Sequence, residues 1–301
     1  MLVVTGATGY LGRGLLPALS GQCRVVVAGR QPVAGYQFRP LDLTSTAGYR
    51  DAVAGATTVI HCAGLAHNRA PASDYRQVNE RATMALADAA LAAGAKKFIF
   101  ISSLNVVPAQ VSSASNKAAA YPCPDGLYEQ SKWRAEQALE QLLAHSSCQL
   151  IILRPALIYD LELTANLATL AGLASKLPMS LPTAGTRSMV SRIDLVQLIV
   201  NVAQDQYPVS SVQRLPVTDG ECYTAARIAT ALGSHRQIVM PAPLWRWIAR
   251  LRDRYANLPA GSTWRSLAGQ FWCGAVPDIE GWAPSTTLET LMGRRAGRGV
   301  T

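Results

Sequence analysis

Several features are missing from this chain of 301 residues. It has no CxxC pair, and its six cysteines (Cys23, Cys62, Cys123, Cys148, Cys222 and Cys273) form no zinc-like spacing with its four histidines. No metal ligands are therefore assigned, no redox dithiol motif is expected, and the cysteines read as reduced thiols of a cytoplasmic protein. No apolar run reaches the ~18 residues of a membrane-crossing helix. The most apolar long stretch, 161–181, is interrupted by Glu162, Asn166, Lys176 and Pro178. No basic region precedes the first apolar residues, so no signal peptide is expected. Internal repeats, aromatic-basic RNA motifs and zinc modules are absent, which sets nucleic acid aside as a partner. Charged residues make up only 16% of the chain against 49% hydrophobic ones, a balance that excludes a disordered protein and predicts a large core. Acids are the scarcer charge, and the resulting net charge of +9 suits anionic partners such as nucleotides or acidic lipids.

What is present begins with alternation. Apolar runs at 2–5, 24–28, 57–62, 97–102 and 149–154, with a weaker one at 37–41, are separated by helical patterns at 10–20, 46–54, 74–93 and 128–144. Near-continuous apolar strands alternating with helices predict an α/β fold: a doubly wound parallel sheet with helices on both faces. This Rossmann-type domain is expected to span residues 1–155. A smaller, irregular C-terminal lobe is expected over 156–292, with the chain returning to the core near 187–218, followed by a disordered basic tail at 293–301.

Ligands of such sheets bind beyond the carboxyl ends of the strands, where strand order reverses. Along that rim fall Gly6–Gly12, Arg30, Ala63–Gly64 and Ser102–Ser103. In "VVTGATGYLGRG" a strand breaks into Gly6, Gly9 and Gly12 and then into a helix. Glycine lets backbone amides approach an anion closely, and a helix N-terminus offers it unpaired N–H groups. Tyr128 and Lys132 stand four residues apart at the start of an amphipathic helix, on one face. A free phenol has a pKa of about 10, and a neighbouring ammonium would lower it into a range useful for proton exchange. Ser102 and Ser103 close the preceding strand and supply a hydroxyl.

With these residues in hand the chain resembles the extended short-chain dehydrogenase/reductases, within them the nucleotide-sugar epimerases, dehydratases and 4-ketoreductases. The resemblance covers nearly the whole sequence: "TGATGYLG" at 5–12, "LDLT" at 41–44, "VIHCAG" at 59–64, "VNERAT" at 78–83, "FISS" at 100–103, "YEQSK" at 128–132, "LRP" at 153–155, "RSMVSRIDLV" at 187–196 and "GWAPSTTLETL" at 281–291. It implies an NAD(P) cofactor held by Gly6, Gly9, Tyr10, Leu11, Gly12, Arg30, Asp42, Leu43, Ala63, Gly64, Asn79, Tyr128 and Lys132. It implies that Tyr128 is the acid/base, that Lys132 holds the nicotinamide ribose and tunes Tyr128, and that Ser103, placed three residues before Val106, binds the reacting hydroxyl. Arg187, assisted by Asn166, would bind the diphosphate of a sugar nucleotide. Asn79 matches a family asparagine of structural or functional role. Two stretches depart from the pattern: "YDLE" at 159–162 replaces a YGPG turn, and "VVP" at 106–108 replaces VYG or VNG.

Cofactor choice turns on "VVVAGRQP" at 25–32. NAD sites place a carboxylate about 20 residues beyond the glycines, whereas an arginine there can pair with the extra phosphate of NADP. Arg30 with no nearby acid favours NADP modestly. The resemblance leads to a 4-epimerase acting by hydride transfer at C4 of a UDP-hexose. A 4-ketoreductase of a UDP-4-keto-6-deoxy-hexose is the alternative, and a catalytically inactive dinucleotide-binding sensor or assembly protein is a reading of another class. A homodimer is implied, pairing through the helices at 74–93 and 128–144. Finally, "PLWRWIARLRDRY" at 243–255 reads as an amphipathic basic helix. Core or partner packing is favoured for it, and membrane-surface contact is the other option.

Overall fold

The computed structural model describes the whole chain except residues 67–69, 111–121, 164, 177–178, 205–211, 235–237, 239, 259, 275–281 and 299–301. Its first part is β1 (Leu2–Thr5), α1 (Tyr10–Leu19), β2 (Val25–Gly29), β3 (Gln37–Pro40), α2 (Tyr49–Val53) and β4 (Thr58–His61). A long helix follows, made of α3 (Ala72–Tyr75), a π-helical turn (Arg76–Arg81) and α4 (Ala82–Ala92). Then come β5 (Lys97–Ile101), a 3-10 turn (Leu104–Val106), α5 (Leu127–Leu143) and β6 (Gln149–Pro155).

These strands, joined by the later strand β9 (Val212–Val217), form a seven-stranded sheet in the order β3-β2-β1-β4-β5-β6-β9. Every pairing is parallel, so each connection must cross over; β2 and β3 are joined by a loop alone and the other connections carry helices, which cover both faces. The two-residue period of the strands divides the core. Leu2, Val4, Val27, Ile60, Ile99 and Leu153 pack on one side with Leu15 and Leu19 of α1. Val3, Val26, Val59, Phe98, Phe100 and Ile152 pack on the other with Leu86 of α4 and Leu139 of α5. Strand order reverses between β1 and β4, and the loops after β1, β2, β4 and β5 gather on that rim.

The later part is more regular than the sequence suggested. β7 (Leu157–Tyr159), β8 (Arg187–Ser191) and β10 (Cys222–Tyr223) make a three-stranded sheet in the order β10-β8-β7. Around it lie α6 (Ala165–Lys176), α8 (Ala225–Ala231), α9 (Ala242–Tyr255), α10 (Ser262–Ala268) and α11 (Leu288–Arg298). The remaining helix, α7 (Arg192–Ala203), packs against α1. The buried Asp194 of α7 organises the junction: it accepts hydrogen bonds from Ser191 Oγ, Ser285 N, Ser285 Oγ and Thr286 N. This ties the "APST" segment to β8.

Two expectations are corrected here. Residues 293–298 are helical rather than disordered, because Leu288, Leu291 and Met292 bury the first turns of α11 against Tyr159, Leu167 and Tyr223. Cys222 and Cys273 are not reduced thiols. They form a disulfide with Cα atoms 5.8 Å apart. The two cysteines are remote in sequence and meet because β10 pairs with β8 while the 270–274 segment lies along β8, Trp272 O accepting from Ser188 N.

Candidate functional site

The glycine loop is shaped by what surrounds it. Gly6 has a left-handed φ of +71°, and a Cβ there would lie 2.6 Å from Ala63 N. A Cβ on Gly12 would lie 2.3 Å from Gly6 O. Only glycine permits this close layering of the loop, α1 and the end of β4. Gly9 is the N-cap of α1, no side chain caps it, and the first turn holds no acid. The helix therefore presents backbone N–H groups to the rim, the arrangement that receives an anion. Leu11 turns into the core, which leaves its backbone facing the loop. Tyr10 turns to the later part of the chain: its hydroxyl donates to Glu162 O at 3.1 Å, and the Arg192 guanidinium lies 4.6 Å over its ring. Burial pushes the Tyr10 phenol up to about 12. Arg192 also pairs with Asp160 and donates to Tyr10 O at 3.1 Å, so the divergent "YDLE" stretch is clasped to the glycine loop.

At the far end of the rim Arg30 and Asp42 are both exposed. Thr44 donates to the Asp42 carboxylate from its backbone N and its hydroxyl, at 2.9 and 2.8 Å. These bonds, with Arg30 adding, hold the Asp42 carboxyl below its usual range. Arg30 thus has a carboxylate near it, supplied by the loop after β3 rather than by the end of β2. Leu43 packs against the core beneath.

Ala63 and Gly64 follow β4. A Cβ on Gly64 would lie 3.0 Å from Asn79 Oδ1 and 3.3 Å from Lys132 Nζ, so a side chain there would press on both. Asn79, 1% exposed, accepts from Leu65 N at 2.8 Å and donates to Leu65 O and Ser131 Oγ at 3.0 and 2.9 Å. Both amide protons are used, which makes Asn79 a bracket between this loop and α5. Lys132 is buried, donates to Ile101 O at 3.0 Å and sits 4.7 Å over the Phe100 ring. Burial lowers its pKa to about 8, with Cys62 and Glu136 opposing.

Tyr128 is partly exposed at the start of α5, with the Ser103 side chain near enough to act on its phenol. Its ring meets Tyr75 edge-on at 6.4 Å. The expectation that its phenol is made acidic does not describe this state. Burial pushes the pKa up to about 12, the Ser103 hydroxyl lowers it, and Glu129 and Tyr75 raise it. Ser103 Oγ also accepts from Asn105 N at 3.2 Å. Ser102 faces the other way, donating to Glu136 Oε1 at 2.5 Å.

Glu136 is the residue sequence reading missed. It forms a fully buried pair with Arg154, at 3.0 Å from Nε and 2.6 Å from Nη2, and so anchors the serine pair and α5 to β6. Its signal was available: Tyr128, Lys132 and Glu136 recur every four residues, which puts an acid on the inward face of a helix.

Arg187 opens β8. Its Nη2 donates to Ser266 O at 2.6 Å, its guanidinium lies 4.9 Å over the Phe271 ring, and its buried Nε has no partner among the described residues. Burial lowers its pKa to about 10. An orphaned guanidinium donor is suited to a phosphate. Asn166 is in the first turn of α6, and its side chain lies outside the described residues.

Comparison with known proteins follows the same line. The profile of the NAD dependent epimerase/dehydratase family matches residues 2–165. The chain is 32% identical to a UDP-glucose 4-epimerase of Vibrio cholerae, covering 81% of this chain and 77% of that one. It is 30% identical to a ceramide reductase of Caulobacter vibrioides, covering 86% and 79%. Among solved structures, a UDP-N-acetylglucosamine 4-epimerase from Bacillus cereus has the same fold at 16% identity, with a TM-score of 0.73 over 100% of this chain and 97% of that one. The UDP-glucose 4-epimerase of Thermus thermophilus, in complex with NAD, does so at 18% identity, with a TM-score of 0.70 over 100% and 99%.

Proposed function

The chain belongs to the NAD-dependent epimerase/dehydratase family, and from that premise we propose that it is a 4-epimerase of a UDP-linked hexose. The observation that carries this reading is the placing of the Ser103 hydroxyl beside the Tyr128 phenol, whose acidity it raises, on the same rim as the glycine loop and Lys132. The cradle fits a dinucleotide. Gly6, Gly9 and Gly12 bring backbone amides to the pyrophosphate, Asp42 and Leu43 lie at the adenine end, and Ala63, Gly64 and Lys132 line the ribose channel. When bound, the oxidised nicotinamide supplies a hydride acceptor and a positive charge to the crevice.

The chain's own residues handle the proton and the substrate. With its pKa near 12 in the ligand-free chain, Tyr128 carries its proton and stands ready as the acid. Added positive charge shifts it toward the base, which takes the proton of the C4 hydroxyl. Ser103 orients that hydroxyl, and Lys132, fixed by Ile101 O, holds the ribose. Arg187 receives the diphosphate on its free Nε, with Phe271 fixing the guanidinium plane. For the return step the crevice would have to let the keto sugar turn while Arg187 keeps hold of the diphosphate, and Tyr128 would give the proton back to the C4 oxygen. Incubation with UDP-glucose or UDP-N-acetylglucosamine and no added reductant tests this. Repeated turnover to the C4 epimer is expected, and its absence on every UDP-hexose tried overturns the reading.

A reductase is the second reading. It is favoured by the ceramide reductase among the relatives and by Arg30, which suits the 2′-phosphate of NADP. A keto substrate would then consume NADPH one for one. Arg30 supports use of NADP in either case, and titration with NADH and NADPH decides it.

A further inference from the structure

Helix α9 has two apolar faces, and only one of them is used by the fold. Trp245 and Ala249, each 1% exposed, turn inward onto Ala174, Leu181, Ala225, Ala229 and Leu267. The other face carries Leu244, Trp247, Leu251 and Tyr255, spaced three and four residues apart, so they form one stripe along the helix. Leu244 is 46% exposed, Trp247 57% and Tyr255 87%, and Leu251 is half-buried. The expected core packing of this helix therefore accounts for Trp245 and Ile248 and leaves the stripe around Trp247 in solvent.

Charge runs alongside the stripe. Arg246, Arg250 and Arg254 recur every four residues down one edge of the helix, and all three are exposed. Arg246 lies 5.1 Å over the Trp264 ring. Arg250 and Arg254 pair with no carboxylate among the described residues. The helix has a single acid, Asp253, which is buried and accepts from Thr263 N and Oγ1 at 2.9 and 2.5 Å. The outer surface is thus an indole, a phenol and two leucines beside a row of cations. Tryptophan and tyrosine favour the boundary between water and hydrocarbon, and arginines favour phosphates. A second copy of the chain fits the surface poorly, since a two-fold contact would bring the arginine rows together. No helix among the described residues is long and apolar enough to cross a membrane, so contact would be with the surface of a bilayer.

We propose that α9 docks the protein on an anionic bilayer, with Leu244, Trp247, Leu251 and Tyr255 entering the headgroup boundary and Arg250 and Arg254 resting on lipid phosphates. None of these residues belongs to the set of Ser103, Tyr128, Lys132 and Arg187, so turnover of a soluble substrate does not require them.

Flotation of the full chain with two kinds of vesicle tests the proposal, one of phosphatidylcholine alone and one of phosphatidylcholine with phosphatidylglycerol. The chain should float with the anionic vesicles, not with the neutral ones, and less so as salt rises. Both Leu244→Ser with Trp247→Ser and Arg250→Glu with Arg254→Glu should reduce flotation by roughly tenfold or more. Because these side chains face solvent, unchanged melting temperatures are expected and verify the fold. Failure of the wild type to float with anionic vesicles overturns the proposal, as does flotation of both variants at the wild-type level. So does a wild-type dimer in light scattering that Trp247→Ser converts to monomer, since a second copy would then cover the face.

Discussion

The hydroxyl of Ser103 lies beside the phenol of Tyr128 at the rim of the sheet and lowers its pKa against the effect of burial, while its neighbour Ser102 is held by Glu136 beneath it. Two adjacent serines on an extended backbone point to opposite sides, and this alternation separates a hydroxyl available for chemistry from one that braces the site.

Tyr128→Phe should lower kcat by roughly 10²–10⁴, the usual contribution of a positioned acid/base, with dinucleotide binding retained. Ser103→Ala should act in the same direction, and Ser102→Ala chiefly on stability. Steady-state kinetics beside a fluorescence titration of NADH separates these effects. Unchanged turnover in Tyr128→Phe would end the assignment.

Lys132 gives a pH signature in the ligand-free protein. Its pKa falls from 10.5 to about 8 on folding. Between those values the unfolded chain binds more protons, so stability must rise with pH across that window, by up to about 3 kcal/mol. At neutral pH the cost of burying the charge is present in full. Urea melts of wild type and Lys132→Met at pH 7.5 and pH 10 check this: the wild type should gain stability relative to the variant as pH rises, and parallel behaviour would contradict the burial of the ammonium.

Glu136→Gln removes the carboxylate paired directly with the buried Arg154, and should cost about 3–5 kcal/mol. A double substitution, Glu136→Gln with Arg154→Met, should recover part of that loss. Chemical denaturation of the two variants measures the difference, and equal stabilities would show that the pair does not act as a unit.

Gly12→Ala would drive a methyl group into Gly6 O. The loop must open, and NADH binding should weaken by at least about tenfold. Gly293→Ala, where a Cβ meets nothing within 4 Å, is the matched control and should bind as the wild type does.

Arg30→Ala should weaken NADPH binding more than NADH binding if the guanidinium receives a 2′-phosphate, by roughly tenfold for a charge-assisted contact. Equal losses for both cofactors would assign Arg30 to Asp42 instead.

Much of this was legible along the chain, because strands, crossover helices and glycine turns are written in residue periods and local backbone needs. β1 and β5 lie where their apolar runs stand, α5 begins within one residue of its predicted start, and Tyr128 and Lys132 share it. The order of motifs established the family and the rim. What the sequence could not determine depends on atoms brought together from distant positions. Glu136 with Arg154, Arg187 with Ser266 and Phe271, Cys222 with Cys273, and Asp194 with Ser285 are all such meetings. Acidity belongs with them: spacing placed an ammonium near a phenol, yet burial, which only the packed molecule sets, moved Tyr128 up and Lys132 down. The tertiary structure alone also decided which side of α9 the core would cover, since an amphipathic pattern with two apolar stripes offers the fold either one.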